Sequence, residues 1–394
     1  MLNLSESAVS NEKQEGQKIA RFFIDQEFKS EKGPTIFVGA SDIGPIRAIL
    51  ALIKFFPDIK ALYYLTTGEA TSEIKQQRKL PEAIMDYRKL AINKIPNILF
   101  TAGEVHPEIA NVLTDNFEKS GATVVWLEDA PGSLRNRIGQ PDLVFCFNAQ
   151  SATEFERIRP DISRKKIHTL GLNPDFLRLS IENPQAKGTE TRKRLGIQES
   201  TLVVTFIGSK STDIPDDPQI LAELSHTLKQ IKTDTTQDII LIRRDHPGEP
   251  NPEVYDDSLS FYPEKTISMP KGSELFKQNS TAEICCASNL LIGVSSTVFD
   301  EAAFRGALAG KAGEQGTLVV LRHEKSYSLP VVDSGSALVA YSSTELKQKI
   351  IDALYNLNVQ KKLHDAQKSY CDVEGMEQKI KNAINLILRT LKNQ

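Results

Sequence analysis

Apolar strand-like runs alternate with amphipathic helical stretches along the chain, which predicts an α/β protein with two doubly wound, mostly parallel sheets. The alternation begins at residue 35, is interrupted at residues 173–200 and then starts again. A chain of 394 residues also exceeds one ordinary core, and this length favours two domains of roughly 150 to 200 residues each. We therefore expect two domains with a ligand-binding cleft between them.

The first half of the chain contains six strand-like runs. They are TIFVGA (35–40), ALYYLTT (61–67), NILFTAG (97–103), ATVVWLED (122–129), DLVFCFN (142–148) and KKIHTLGL (165–172). Continuous apolar strands separated by helical patterns are typical of parallel sheets buried on both faces. A further helix is predicted over EGQKIARFFIDQEF (15–28), ahead of the first strand.

The second half repeats the pattern after a polar segment that contains Pro and Gly. Its strand-like runs are LVVTFIGS, DIILIRRD, NLLIGVSS, TLVVLRH and ALVAYSS, and two amphipathic helical stretches end the chain. We place the domain boundary in the polar segment, because composition shifts there. The predicted division is a first domain over 1–180, a second over 181–372 and a terminal helix over 373–394.

Composition and charge exclude several classes of protein. A net charge of -3 gives no overall attraction to nucleic acid or to an anionic membrane. The N-terminal MLNLSESAVSNEKQEGQ lacks the features of a secretory signal, and no apolar run reaches the roughly 18 residues that would span a bilayer. We expect a cytoplasmic protein without nucleic-acid partners or an integral membrane segment, whose contact with membranes would at most be peripheral.

The four cysteines predict neither a zinc site nor a disulfide framework. None of them has C-x-x-C spacing. Buried free thiols are the expected state, and we assign no metal.

Three strands of the second half end in residues suited to a phosphate group. These residues are His246 and Pro247 after DIILIRRD, Ser295, Ser296 and Thr297 after NLLIGV, and Gly208, Ser209 and Lys210 after LVVTFI. Ligands of open α/β sheets bind at the carboxyl ends of strands, which favours a common binding site. The last of the three groups lacks the spacing of a P-loop or of G-x-G-x-x-G.

The serines allow two interpretations. A serine near a helix N-terminus caps free N–H groups, while the same groups and the helix dipole attract an anion. Glu301 lies one turn into the following helix, where it could accept from a ribose hydroxyl. A solvated surface residue fits this position equally well.

The first half also ends strands in polar residues. Glu128 and Asp129 follow a strand and precede a Pro-Gly turn, so one of them could serve as a general base while the pair could equally initiate the turn. Ser41 and Asp42 begin a helix, where N-capping and substrate binding both fit. His106 precedes Pro107 at the end of another strand. It could bind substrate, or the His-Pro pair could simply begin a helix.

Taken in order, ED at 128–129, HP at 246–247 and SS at 295–296 resemble the motifs of bacterial sialyltransferases of the GT-B fold. The resemblance spans both predicted Rossmann-like domains, although each motif is only two or three residues long. This sequence departs from the family pattern after the acidic pair, where Ala130 stands and a glycine arrives only at Gly132.

The resemblance implies an inverting, metal-independent glycosyltransferase that uses a small-molecule nucleotide sugar, CMP-sialic acid or a related CMP-sugar, and a saccharide acceptor. Asp129 would be the general base, and His246 with the serines would bind the CMP phosphate. No cofactor besides the nucleotide-sugar donor is implied. The last helix would pack back on the first domain.

Two alternatives remain open at this point. The segment from Ser295 to Gly306 is also similar to the nucleotide-binding segment of UDP-sugar 2-epimerases, although the G-T-R-P-E start of epimerases is absent. The altered EDAPG segment and the lack of a strong glycine loop favour a non-catalytic nucleotide-binding protein.

Overall fold

The computed structural model describes residues 21–25, 33–40, 43–66, 71, 74, 83–84, 98–103, 108–129, 132–171, 173–176, 183–212, 214–296, 298–308, 318–322, 330–371, 373 and 375–392. Contacts between Cα atoms divide the chain into two compact units. Unit 1 consists of Met1–Asp175 together with Gly375–Gln394, and unit 2 of Phe176–Glu374.

The described part of unit 1 forms an eight-stranded sheet. Its strands are β1 (Arg21–Asp25), β2 (Thr35–Ala40), β3 (Ala61–Thr66), β4 (Ala83–Ile84), β5 (Ile98–Ala102), β6 (Thr123–Leu127), β7 (Leu143–Cys146) and β8 (Ile167–Thr169). The order across the sheet is β4-β1-β3-β2-β5-β6-β7-β8. The six strands from β3 to β8 in this order run parallel, and only β1 pairs antiparallel with its neighbours β3 and β4.

The helices of unit 1 connect parallel strands. They are α1 (Ile43–Ile53), α2 (Glu108–Lys119) and α3 (Ala149–Ile158). Every residue of β5 and β6 is buried, as expected for strands covered on both faces. Trp126 at the centre of this core donates its indole N–H to Thr114 Oγ1 at 3.1 Å, which satisfies the ring's one polar atom.

The prediction of a helix over 15–28 is wrong at Arg21–Asp25, where the structure has strand β1. The segment RFFID is too short for its apolar run to distinguish helix from strand. The edge of β3 decides the outcome, because β1 pairs antiparallel with β3 from Arg21 opposite Thr66 to Asp25 opposite Leu62. This pairing gives partners to backbone groups that β3 would otherwise leave open.

Unit 2 contains a six-stranded sheet in its described residues, and all of its strands are parallel. The strands are β9 (Leu202–Ile207), β10 (Ile239–Arg244), β11 (Thr266–Met269), β12 (Leu290–Gly293), β13 (Leu318–Arg322) and β14 (Leu338–Ala340). The order is β11-β10-β9-β12-β13-β14. The strands β10, β9 and β12 are therefore consecutive neighbours in the middle of the sheet.

Helices follow most of these strands. They are α4 (Pro184–Arg194), α5 (Asp217–Thr235), α6 (Glu274–Gln278), α7 (Thr281–Ala287), α8 (Val298–Leu308), α9 (Pro330–Asp333), α10 (Ser343–Tyr355) and α11 (Leu357–Cys371), while the last helix, α12 (Met376–Lys392), belongs to unit 1. None of the described helices is long and apolar enough to cross a membrane. The prediction of two doubly wound α/β units is confirmed.

Candidate phosphate site and acidic pair

Three loops meet at the carboxyl edge of the unit 2 sheet. Residues 208–211 follow β9, residues 245–249 follow β10 and residues 294–296 follow β12. The first loop contacts both of the others: Gly208 N donates to Arg244 O at 2.9 Å, and Ser209 Oγ donates to Ser295 O at 3.1 Å. The residues that the sequence suggested separately for a phosphate site are thus brought together by strand order.

His246 begins a tight β-turn that orients its own ring. Glu249 N donates to His246 O at 3.0 Å, with Pro247 at the second turn position, where its fixed φ is favoured. Gly248 N donates to His246 Nδ1 at 2.9 Å. Because Nδ1 accepts, the neutral ring carries its proton on Nε2. His246 therefore presents an N–H donor on the side away from its turn.

Lys210 lies against the same turn. A Cβ placed on Gly248 would be 2.5 Å from Lys210 Cε, 3.3 Å from Lys210 Nζ and 3.2 Å from His246 Nδ1. The bare glycine thus lets the Lys210 side chain lie against the turn, beside the acceptor nitrogen Nδ1 of His246. The ammonium group of Lys210 is a charged donor of the kind that suits an anion.

Ser296 caps the beginning of α8. Its Oγ accepts from Val298 N at 3.2 Å, and Ser295 and Ser296 are both half-buried. Capping is therefore part of the role of this pair. Glu301, in the first turn of α8, lies 3.7 Å from the Arg305 guanidinium, measured from Oε2 to Nη2.

Glu249 is a residue of this site that the sequence reasoning missed. It is fully buried, and its carboxylate accepts from Ser211 N at 2.7 Å, from Ser211 Oγ at 2.7 Å and from Asn251 N at 2.8 Å. Burial raises its pKa, but the hydrogen bonds from Ser211 and Asn251 outweigh burial, and the net pKa is lowered. Glu249 is therefore an ionised group that joins the Lys210 loop to the His246 turn.

A second buried acid, Asp217, lies beneath the Lys210 loop at the start of α5. Its Oδ2 accepts from Ser209 N at 2.7 Å and lies 3.0 Å from the Tyr255 hydroxyl, which is also 3.1 Å from Ser209 O. Oδ1 has no hydrogen-bond partner among the described residues. Burial raises the pKa of Asp217 to about 6, although the bonds from Ser209 and Tyr255 oppose the rise.

A buried ion pair holds the end of β10. Arg243 donates to both carboxylate oxygens of Asp245, from Nε at 2.7 Å and from Nη2 at 3.0 Å, and both side chains are excluded from solvent. Arg243 also donates to Asp256 at 2.8 Å and stacks on Tyr255 with Cζ 4.9 Å from the ring centre. This pair fixes the backbone immediately before His246.

The acidic pair of unit 1 points in two directions. Glu128 is 1% exposed, and its two oxygens accept from Gly132 N at 2.5 Å and Phe147 N at 2.7 Å. Burial raises the pKa of Glu128 to about 7, against the lowering effect of these bonds. Its carboxylate closes the turn after β6 and ties it to the end of β7.

Asp129 instead faces the beginning of α1. A Cβ placed on Gly44 would lie 2.9 Å from Asp129 Oδ2, and Asp129 O accepts from Asn173 Nδ2 at 2.6 Å. A carboxylate at the first turn of a helix is stabilised by the helix dipole. The two carboxylates therefore face different parts of unit 1, Glu128 the turn after β6 and Asp129 the start of α1.

Four of the residues proposed from the sequence lie outside the described part of the chain. They are Ser41, Asp42, His106 and Thr297. Helix α1 begins directly after the first two of them, at Ile43. Within the described residues, no three His, Cys, Asp or Glu side chains are grouped so as to hold a metal ion.

A groove of about 440 Å³ on α5 and α10 is lined by none of the three loops. Its carboxylate, Glu223, already binds Arg322 and Ser343, the latter at 2.6 Å. We therefore assign the candidate site to the three loops because of the chemistry of their residues, and not to this groove because of its size.

Comparison with known proteins yields similarity in structure only. No protein-family model and no curated protein sequence matches the chain. A glycosyltransferase from Rickettsia africae matches with a TM-score of 0.58 at 13% identity, over 92% of this chain and 100% of the other. The S. aureus MnaA-UDP structure has a TM-score of 0.58 at 11% identity, over 87% and 94% of the two chains.

A UDP-N-acetylglucosamine 2-epimerase also matches, with a TM-score of 0.57 at 12% identity over 86% of this chain and 94% of the other. Identities this low establish architecture and not activity. The chain has a GT-B-like fold built from two Rossmann-like domains.

Proposed function

We propose that this protein is an inverting, metal-independent glycosyltransferase that transfers a sugar from a CMP-activated donor, such as CMP-sialic acid, to a saccharide acceptor. The observation that carries the proposal is the meeting of three loops at the carboxyl edge of β10, β9 and β12. They place Lys210, His246 and the Ser295-Ser296 segment at the ends of neighbouring strands. This arrangement suits a phosphate group.

In this mechanism the donor phosphate binds to the unit 2 loops. The His246 Nε2–H and the Lys210 ammonium face the charge that develops on the phosphate as its bond to the anomeric carbon breaks. Glu249, Asp217 and the Arg243–Asp245 pair hold these groups in place. CMP leaves with the bonding electron pair.

Asp129 supplies the general base. Its carboxylate takes the proton of an acceptor hydroxyl while that oxygen attacks the anomeric carbon. Its orientation toward the start of α1, against the inward orientation of Glu128, supports Asp129 over Glu128 for this role. Glu128 holds the turn that follows Asp129 through its hydrogen bonds to Gly132 N and Phe147 N.

Calorimetric titration with CMP, UDP, GDP and ADP tests the proposal. We expect preferential binding of CMP, and a loss of about 10- to 100-fold in CMP affinity in His246→Ala, because charge-assisted hydrogen bonds are lost. His226→Ala, at an exposed position on α5, is the matched control and should bind CMP as the wild type does. Unchanged CMP affinity in His246→Ala would refute the phosphate site.

Turnover of CMP-sialic acid tests the base. Asp129→Asn should retain CMP binding and lose sugar transfer, whereas Asp115→Asn, at an exposed position on α2, should retain both. Transfer at the wild-type rate in Asp129→Asn would contradict the assignment.

A UDP-sugar 2-epimerase-like activity is the second candidate. The similarity to a UDP-N-acetylglucosamine 2-epimerase and to the MnaA-UDP structure favours it. Preference for UDP in the same titration would select this candidate. Nucleotide binding without turnover of any sugar nucleotide would indicate a non-catalytic protein.

A further inference from the structure

A fully buried carboxylate beside two candidate phosphate ligands requires a physical reason. Burying a charge is costly unless it is paired and hydrogen-bonded. Glu249 meets this condition through three donors, two of which come from one residue, Ser211. Its backbone carbonyl also accepts from Lys271 Nζ at 2.8 Å.

The partners of Glu249 belong to two different loops. Ser211 immediately follows Lys210 in the loop after β9, whereas Glu249 ends the turn that begins at His246. The carboxylate binds both the backbone N–H and the side chain of Ser211, so it fixes the position of that loop as well as its orientation. Gly248, within the turn that begins at His246, leaves room for Lys210 Cε and Nζ.

We infer that Glu249 is a positioning residue whose carboxylate holds the Lys210 loop against the His246 turn, and so keeps the Lys210 ammonium and this turn at one phosphate of the donor. This inference rests on the proposed function, because it assigns that phosphate to the nucleotide sugar. A carboxylate is required because the two oxygens accept from different donors of Ser211. An amide would place its NH2 group opposite the backbone N–H of Ser211 in one orientation and of Asn251 in the other.

The first readout is nucleotide affinity in Glu249→Gln. We expect the affinity for CMP to fall about tenfold or more, because the loop that carries Lys210 is released. Glu253→Gln is the matched control, since Glu253 is exposed and lies in the next turn of the chain. A thermal melt of each variant separates lost affinity from lost folding.

Coupling to Lys210 distinguishes positioning from a general effect on stability. Lys210→Ala should itself weaken CMP binding, and adding Glu249→Gln to it should then change the affinity by less than about threefold, because the group being positioned is gone. Fully additive losses in the double variant would overturn the inference. So would wild-type affinity in Glu249→Gln.

A second readout needs no nucleotide. Long-range ¹H–¹⁵N spectra report which ring nitrogen of His246 carries the proton, with the signal identified by its loss in His246→Gln. We expect the Nε2–H tautomer in the wild type and in Glu253→Gln, and a mixture of tautomers in Glu249→Gln. If the wild type binds no nucleotide, the proposed function fails, and an unchanged His246 signal in Glu249→Gln would separately overturn the positioning role.

Discussion

The buried acid Asp217 makes the stability of unit 2 depend on pH, and Asp217→Asn should remove that dependence. Burial raises the pKa of this carboxyl from 3.8 to about 6. The folded protein therefore holds the proton more tightly than the unfolded chain does. Stability contributed by the protonated group is complete below pH 3.8 and is lost as the pH rises through 6.

The size of the effect follows from the two pKa values. Each pKa unit corresponds to about 1.4 kcal/mol, so a rise from 3.8 to about 6 amounts to about 3 kcal/mol lost between pH 4 and pH 7. Asparagine keeps one oxygen to accept from Ser209 N and the Tyr255 hydroxyl. Its NH2 group would replace Oδ1, which has no partner among the described residues, just as the protonated acid would place its O–H there.

Asp217→Asn and the wild type should consequently differ little in free energy of unfolding at pH 4. At pH 7 the variant should be more stable by about 3 kcal/mol, because only the wild type then buries a charge. Asp216→Asn, at an exposed neighbouring position, should show a constant difference from the wild type across this range.

Urea unfolding followed by two probes provides the assay. Trp126, the one tryptophan of the chain, lies in unit 1, so its fluorescence reports that unit, while far-ultraviolet circular dichroism reports both. The transition seen by dichroism alone is assigned to unit 2, since multidomain chains need not unfold in one step. A stability difference between Asp217→Asn and the wild type that stays constant or shrinks with rising pH would refute the reasoning.

Two further substitutions test the network around this acid. Tyr255→Phe should move the pH range of the stability loss upward, because the hydroxyl that lowers the pKa of Asp217 is removed. The same urea series measures this range, and an unchanged range would contradict the prediction. Arg243→Ala should destabilise unit 2 by about 3 to 5 kcal/mol, since Asp245 would be left buried and unpaired. Dichroism at pH 7 measures this loss, and a change below about 1 kcal/mol would show that Asp245 finds another partner.

Most strands could be predicted because buried parallel strands are continuous apolar runs. The segment TIFVGA coincides with β2, and DIILIRRD contains β10. Strand β11, with the sequence TISM, was not predicted, because a short edge strand with two polar residues has no apolar run to reveal it. RFFID was misassigned because its strand conformation depends on β3, which is more than thirty residues further along the chain.

At the carboxyl edge of the unit 2 sheet, the sequence predicted the candidate phosphate-binding residues but not the buried acids that hold their loops. His246 and the serines follow apolar strands, and that pattern is visible in the sequence. Glu249 was missed because its main partner, Ser211, is 38 residues away, and only the adjacency of β9 and β10 brings the two together. Asp217 precedes Pro218 and has the sequence context of an ordinary helix start, so nothing marks it as a buried acid.

The acidic pair of unit 1 shows why neighbouring carboxylates need not share a role. Successive residues at the end of an extended strand point to opposite sides, so one of the two must turn inward. Glu128 does so, and its two oxygens accept from two backbone N–H groups, which oppose but do not cancel the effect of burial on its pKa. This anchors the turn and leaves Asp129 at the dipole of α1, where an ionised carboxylate is favoured. A general base must be held in a fixed position, so the anchoring of the turn by Glu128 supports the role proposed for Asp129.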